Sequence, residues 1–113
     1  MFDSVTINAL SSALDGLAAR QRAIADNVAN INTPNYRARV VSFENALASS
    51  VASGEGAVAP AETRSTDATN ENGNNVNLDR ETLSNIETLL RYQFASRAVG
   101  ADFDATRAAL KSA

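Results

Sequence analysis

The chain has 113 residues, a formal net charge of −3 and neither cysteine nor histidine. This length suits one domain at most, and the missing residue types exclude disulfides, thiolate or imidazole metal sites, cysteine nucleophiles and histidine-based triads. The negative charge argues against nucleic-acid binding. We therefore expect no cofactor, no metal, no nucleic acid and no small-molecule substrate.

The first residues show no sign of a secretion signal. Met1-Phe2-Asp3-Ser4 lacks the basic region of a cleaved signal peptide, and no continuous apolar segment follows it. No apolar run approaches the length of a membrane span. We expect that an export route, if the protein uses one, does not read a cleaved signal.

Residues 1–33 are predicted to form an N-terminal helix. Its apolar residues recur at alternating spacings of three and four, which makes a heptad seam that is polar only at Gln21. The positions beside the seam are uncharged except for Arg20, whereas a two-stranded coiled coil usually carries charges there. An ordinary amphipathic core helix and a helix with neighbours on several sides both fit this pattern. The seam consists of Ile7, Leu10, Leu14, Leu17, Gln21, Ile24, Val28 and Ile31.

The helical pattern stops at the run Asn27-Val28-Ala29-Asn30-Ile31-Asn32-Thr33-Pro34-Asn35-Tyr36. Asparagine amides compete for backbone partners and favour helix ends, Pro34 disfavours the helical conformation at Thr33, and Asn35 suits a turn position with positive φ. A plain helix C-cap followed by a turn would explain the run, but the surplus of asparagines also fits a functional motif. The motif residues are Asn27, Ala29, Asn30, Asn32, Thr33, Pro34, Asn35 and Tyr36.

The middle of the chain is polar. Residues 34–48 predict a turn, an extended stretch and a short helix capped by Ser42. Residues 49–77 are rich in Ala, Ser, Thr, Gly and Asn, and from Glu44 to Asp79 six acidic residues accompany a single arginine. Such a segment buries too little apolar surface to offset its ordering entropy. We expect residues 49–77 to be flexible.

Residues 78–113 predict a second long helix, with Asp79 as its N-cap. Its apolar residues cover more than one side, and the later part of its main face is nearly all alanine. We expect the two long helices to pair. The predicted assembly seam consists of Leu10, Leu14, Leu17, Ile24, Val28, Ile31, Leu83, Ile86, Leu90 and Phe94.

The expected fold is all-α, with long N- and C-terminal helices that pair as a coiled-coil-like hairpin and an extended, flexible polar segment between them. A hairpin of two helices has no third layer to cover its outer faces, and each exposed apolar face forgoes about 25 cal/mol per Å² of burial. The sequence therefore predicts an assembly subunit whose terminal helices polymerise.

The run from Asn27 to Tyr36 closely resembles the signature of flagellar basal-body rod and hook proteins, in which an N-terminal helix ends in an N-x-A-N-x-x-T-P-x-Y-like run. Three later segments narrow the resemblance to the proximal-rod members of that family. They are Arg37 to Leu47, Asn74 to Glu81 (Asn-Asn-Val-Asn-Leu-Asp-Arg-Glu) and Leu90-Arg91-Tyr92-Gln93. The chain departs from the family pattern in Asn35, where glycine is commoner, in its short acidic middle and in its alanine-rich last twenty residues.

The resemblance implies a structural subunit of the rod, located in the basal body where it spans the periplasm or cell-wall zone. It implies export in an unfolded state through the flagellar type III apparatus, terminal helices that pair in the innermost layer, and helical stacking into a shaft that carries torque. Its expected partners are other copies of itself, the rod proteins FlgC, FlgF and FlgG, the adaptor FliE and the MS ring. The amides of Asn27, Asn30 and Asn32 would make inter-subunit or turn-fixing hydrogen bonds.

Two other functions compete with this interpretation. Another rod or hook-type axial subunit would share the first motif but not the Leu78-Asp79-Arg80-Glu81 entry to the second helix. A small type III-secreted helical hairpin that binds one partner would leave the block from Thr33 to Tyr36 unexplained. An enzyme fits least, because Asp102 and Asp104 do not share a helix face well and no nucleophile clusters with them.

Overall fold

The computed structural model describes residues 3–112, whose architecture is an elongated pair of long helices with a small sheet and a short helix on one side. The start of the last helix lies beside the end of the first, so the two long helices run antiparallel. The molecule measures 66 × 27 × 15 Å. In chain order the elements are α1 (Ser4–Ala29), β1 (Arg39–Ser42), α2 (Glu44–Ala52), β2 (Ala61–Arg64) and α3 (Leu78–Ser112).

The fold is mostly helical but not all-α, and the expectation is wrong in this respect. Strands β1 and β2 form an antiparallel two-stranded sheet in which Arg39 is opposite Arg64 and Ser42 is opposite Ala61. All four residues of β2 are exposed. Since its pairing depends on backbone hydrogen bonds rather than on buried side chains, β2 leaves no apolar alternation in the sequence.

The first helix ends earlier than predicted. It begins after Asp3, whose carboxylate accepts a hydrogen bond of 2.8 Å from the amide of Thr6, and this bond lowers the pKa of Asp3. It ends at Ala29 rather than at residue 33, because the backbone bonds after Asn30 change to the tighter i→i−3 pattern, from the amide of Ile31 to the carbonyl of Val28 and from the amide of Thr33 to the carbonyl of Asn30. The C-cap is therefore the second asparagine of the motif.

The helix starts also differ from two predicted caps. Asn77, not Asp79, caps α3, since its Oδ1 accepts from the amide of Arg80 at 3.1 Å. Phe43, not Ser42, precedes α2, and α2 extends to Ala52, beyond the predicted limit at residue 48. Asn77 supplies the same side-chain acceptor two positions earlier than Asp79 would.

A small core fastens α2 and β1 to α1. The ring of Phe43 lies directly against Gly16, where any side chain would overlap it. Leu17, Ala23 and Val41 complete the buried cluster, and Tyr92 of α3 packs against its edge. Because Gly16 lets the ring reach the helix backbone, one aromatic side chain joins three elements.

The middle segment runs along α1 rather than away from it. The hydroxyl of Ser12 donates to the carbonyl of Gly56 at 3.1 Å and accepts from the amide of Val58 at 3.0 Å. Nδ2 of the Asn8 side chain also donates to the carbonyl of Glu55. Polar side chains of α1 thus hold the segment by hydrogen bonds to its backbone, although the segment has few apolar side chains to bury.

Candidate functional site

The centre of the asparagine motif is Asn27, which is 1% exposed. Its Nδ2 donates to the carbonyl of Arg39 and to Oε1 of Glu81, each at 3.0 Å. Its Oδ1 accepts from the amide of Arg39 at 2.8 Å and from the hydroxyl of Tyr36 at 3.2 Å. The side chain therefore uses both donors and both acceptor sites, and it ties α1 to β1 and to α3 at one point, which we call the corner.

The turn after α1 is fixed by the next motif residues. Nδ2 of Asn30 donates to the carbonyl of Asp26 at 2.8 Å, and its Oδ1 accepts from the hydroxyl of Thr33 at 3.0 Å. Asn35 has φ of 62°, which confirms the predicted positive-φ turn position. Asn30 and Asn35 thus shape the turn within one chain.

Two asparagines outside the predicted motif hold the turn from the other side. Asn74, which is fully buried, donates to the carbonyls of Asn30 and Thr33, both at 2.9 Å. Oδ1 of Asn75 accepts from the amide of Ala38 at 2.7 Å, and its Nδ2 donates to carbonyls of the middle segment. The corner therefore joins residues that are more than forty positions apart in the chain.

A close backbone contact locks this arrangement. The amide of Asn35 donates to the carbonyl of Asn72 at 2.9 Å. Gly73 has φ of 83°, and a side chain there would lie only 3.2 Å from Cα of Asn35. Glycine is required at this position both by its backbone conformation and by the neighbouring turn.

Glu81 is the charged member of the corner. Burial raises the pKa of its carboxyl, and the hydrogen bond from Asn27 and the charge of Arg80 offset that effect only in part. A carboxylate in this position depends on the Asn27 amide, since a buried charge without a hydrogen-bond donor is costly. The sequence predicted Glu81 only as a favourable acid in the first turn of α3.

A second charged group, Glu44, lies at the start of α2. Burial acts to raise the pKa of Glu44, but hydrogen bonds and the charge of Arg20 lower it to about 2. Arg91 of α3 also approaches this carboxylate, with Nη1 3.7 Å from Oε1. Glu44 thus links α2 to both long helices.

The remaining motif residues lie at the outer side of the turn. Ala29, Asn32, Thr33 and Pro34 are exposed, and Tyr36 is half-buried. Asn32 therefore has a different environment from Asn27, although the two were predicted to act alike. The structure brings together Asn27, Asn30, Thr33, Asn35 and Tyr36 and leaves Ala29, Asn32 and Pro34 facing outward.

The α1 half of the predicted seam is only partly buried. Leu17 and Ile24 belong to the buried residues, whereas Leu10, Leu14 and Ile31 are half-buried and Val28 is exposed. The helix thus buries the middle of its heptad seam and leaves the seam residues toward both ends partly accessible to solvent.

The α3 half of the predicted seam faces away from α1, and the expectation that it lies between the two helices is wrong. Leu83, Ile86, Leu90 and Phe94 are 59%, 52%, 63% and 78% exposed. We call these four residues the outer stripe. Helical spacing places them on the face opposite the one that α3 buries.

The face that α3 turns toward α1 is small and polar. Glu81, Thr88 and Ala95 are buried there, with Tyr92 and Val99 half-buried. Their spacings of three, four and seven residues define one side of a helix. The physical reason for the wrong assignment is that the side of α3 that packs on α1 includes polar contacts such as Asn27–Glu81, which apolar periodicity alone cannot register.

Sequence reasoning missed two buried polar residues, Asn74 and Thr88, and the packing of Phe43 against Gly16. The signal for Asn74 was present, since Asn74 and Asn75 stand side by side just before a helix start. Thr88 has no such signal. Across residues 3–112 no helix is long and apolar enough to cross a membrane.

Residues 7–37 match the model of the flagella basal body rod protein family. This range contains most of α1 and the whole asparagine motif. The match therefore covers the residue at the centre of the corner, Asn27, whereas its partners Arg39 and Glu81 lie outside the matched range.

Comparison with individual proteins extends the similarity to the whole chain. The chain is 30% identical to the flagellar basal body rod protein FlgB of Bacillus subtilis (strain 168), with 95% of this chain and 94% of that protein covered. It is 53% identical over 34 residues to the FlgB proteins of Borreliella burgdorferi and Borrelia hermsii, a match that covers 30% of this chain and 25% of each relative.

Proposed function

The chain belongs to the flagellar basal-body rod protein family as a structural subunit of the proximal rod, and we propose that it assembles there through its two terminal helices. Copies stack helically, and the packed helices form a shaft that transmits the torque of the motor. The role is mechanical, and the chain performs no catalysis.

The observation that carries this proposal is the orientation of α3. The helix buries Glu81, Thr88 and Ala95 and exposes the outer stripe. An exposed apolar stripe of this kind marks an interaction site in a soluble protein. A subunit that is completed by its neighbours in the rod provides the missing cover.

The corner supports the mechanical role. Asn27 links the end of α1 to the start of α3 and to β1 by three hydrogen bonds, and a fourth joins it to Tyr36 of the turn. Hydrogen bonds that use every donor and acceptor of a buried side chain have a restricted geometry. The two helices therefore keep a fixed relation to the small sheet.

The proposal extends to partners and location. The family predicts association with other basal-body components, and we propose further copies of this chain, FlgC, FlgF, FlgG, FliE and the MS ring as the neighbours. We also propose residence in the rod across the periplasm or cell-wall zone. Export would proceed through the flagellar type III apparatus without a cleaved signal, with residues 49–77 flexible before assembly.

Deletion of the gene tests the function. We expect the deletion strain to lack a rod and to be non-motile, and we expect the intact gene supplied from a plasmid to restore both. Electron microscopy of isolated basal bodies and a swimming assay give the two readouts. Motile deletion cells with normal filaments would refute the role in the rod.

A further inference from the structure

The outer stripe has a continuation of opposite character along the same helix face. After Phe94 the face carries alanines in place of large apolar residues, and three of the four are exposed. We call this continuation the alanine stripe. It consists of Ala98, Ala101, Ala105 and Ala108.

The two stripes share one spacing. Leu83 and Ala98, Ile86 and Ala101, and Leu90 and Ala105 are each fifteen positions apart, and Phe94 and Ala108 are fourteen apart. At a rise of about 1.5 Å per residue, fifteen positions correspond to about 22 Å along the helix. Large side chains on one segment are thus matched by shallow positions on another segment with the same periodicity.

We propose that the outer stripe of one copy packs on the alanine stripe of the next copy, with the two α3 helices parallel and staggered by about fifteen residues. This inference rests on the proposed function, and the partner is a second copy of this chain. Close packing of large side chains against alanine lets two helix backbones approach, as ridges do when they fill grooves.

The exposed charges agree with this pairing. Glu87 lies beside the outer stripe, while Arg97 lies beside the alanine stripe. Asp104 and Arg107 are paired with each other in the chain, with Nη1 of Arg107 3.6 Å from Oδ1 of Asp104. At the proposed stagger Glu87 of one copy therefore lies close to Arg97 of the next, in the way that flanking charges select partners in parallel coiled coils.

The geometry of the contact favours an open series. A parallel staggered contact joins the outer stripe of one copy to the alanine stripe of the next. The copy at each end of the series therefore keeps one free stripe, to which a further copy can bind. An antiparallel pair would use the same surfaces twice and would stop at a dimer. The outer stripe contains only four residues, whereas a stable two-protein interface has roughly 20 to 30 residues a side. Because one such contact is small, it stabilises an assembly by being repeated along the series.

Paired cysteines in the full-length chain test the stagger, because the natural sequence has no cysteine. The double variant Leu90→Cys with Ala105→Cys is expressed in the deletion strain, and its basal bodies are isolated and oxidised. We expect a ladder of cross-linked multimers on a non-reducing gel. The matched pair Ile86→Cys with Ala105→Cys should give no ladder, and each single-cysteine variant serves as a control for chance collisions.

Three results would overturn the proposal: no cross-links in rods that contain the double variant, dimers only, or efficient cross-linking of the 86–105 pair, which an antiparallel contact brings together. In each of these cases the cells can still swim and the function in the rod still stands. Loss of the rod in the deletion strain is a separate result and tests the function alone.

A volume exchange decides the question if the cysteine variant fails to assemble. Ala105→Leu should abolish assembly, and the additional change Leu90→Ala should restore it, because the large and small residues of one contact have exchanged sides. Rescue by Ile86→Ala in place of Leu90→Ala would instead indicate an antiparallel pair and would refute the stagger. Assembly that is unaffected by Ala105→Leu would also refute it.

Discussion

Asn27 and Glu81 are 54 positions apart in the chain, yet their side chains meet at 3.0 Å and join the end of α1 to the start of α3. The same asparagine pairs with both backbone groups of Arg39, as a neighbouring strand would. Asn27 thus connects the backbone of the small sheet to both long helices by hydrogen bonds. The connection between the sheet and the two helices at the corner therefore depends on this one side chain.

Asn27→Ala tests this dependence. The change removes four hydrogen bonds and leaves the Glu81 carboxylate and the Arg39 amide without their partner in a buried site. We expect the free energy of unfolding to fall by about 2 to 4 kcal/mol, since each unsatisfied buried group costs about 1–3 kcal/mol. Urea unfolding followed by circular dichroism measures the difference.

Asn32→Ala is the matched control. Asn32 belongs to the same motif but is exposed, so its removal should change the free energy of unfolding by less than about 0.5 kcal/mol. Equal losses for the two variants would show that the corner does not depend on Asn27 in particular.

The raised pKa of Glu81 predicts a pH dependence. The folded chain keeps the Glu81 proton to a higher pH than the unfolded chain, whose carboxyl titrates near 4.5. The stabilisation from this group is therefore complete below that value and is lost as the pH rises through the folded-state pKa. Glu81→Gln removes this titration but can still accept the hydrogen bond from Asn27.

We expect Glu81→Gln to be more stable than the natural chain at pH 7 and no more stable at pH 4. The measurement is urea unfolding of both proteins between pH 4 and pH 8. Glu44, whose pKa is lowered to about 2, loses its contribution as the pH falls and does so in both proteins, so it cancels in the difference. A difference that does not vary with pH would contradict the buried state of Glu81.

The sequence predicted the long helices, the turn at Asn35 and the family, because these depend on local periodicity, local turn chemistry and a contiguous motif. It predicted the wrong face of α3, because the apolar stripe was assigned to the partner within the chain. The contact between Asn27 and Glu81, on the side of α3 that is buried, is polar and distant in sequence. Strand β2 was missed for a related reason: its residues are exposed, and its order comes from the backbone of β1.

Hydrogen exchange tests the predicted flexibility of residues 49–77. The structure ties this segment down through Ser12 near Gly56, through the pairing of β2 with β1 and through Asn74 near the turn. In the free chain we expect the exposed amides of residues 66–72 to exchange roughly a hundredfold faster than those of Ala38 and Val76, since exchange follows local opening. Deuterium uptake measured by mass spectrometry resolves these peptides. Slow exchange throughout residues 49–77 would contradict the flexible segment.

Leu90→Asp tests the outer stripe as an assembly surface. Leu90 is 63% exposed in the free chain, so the change should lower the free energy of unfolding by less than about 1 kcal/mol, mainly through helix propensity. In an assembly the same carboxylate is buried against an apolar neighbour, and an unpaired buried charge costs several kcal/mol. We therefore expect normal synthesis of a folded monomer, incorporation into rods reduced by more than roughly a hundredfold, and loss of swimming.

Val51→Asp on α2 is the matched control, because Val51 is also an exposed apolar helix residue, and cells with that variant should swim. Incorporation of Leu90→Asp at the level of the natural chain would show that the outer stripe stays exposed in the rod.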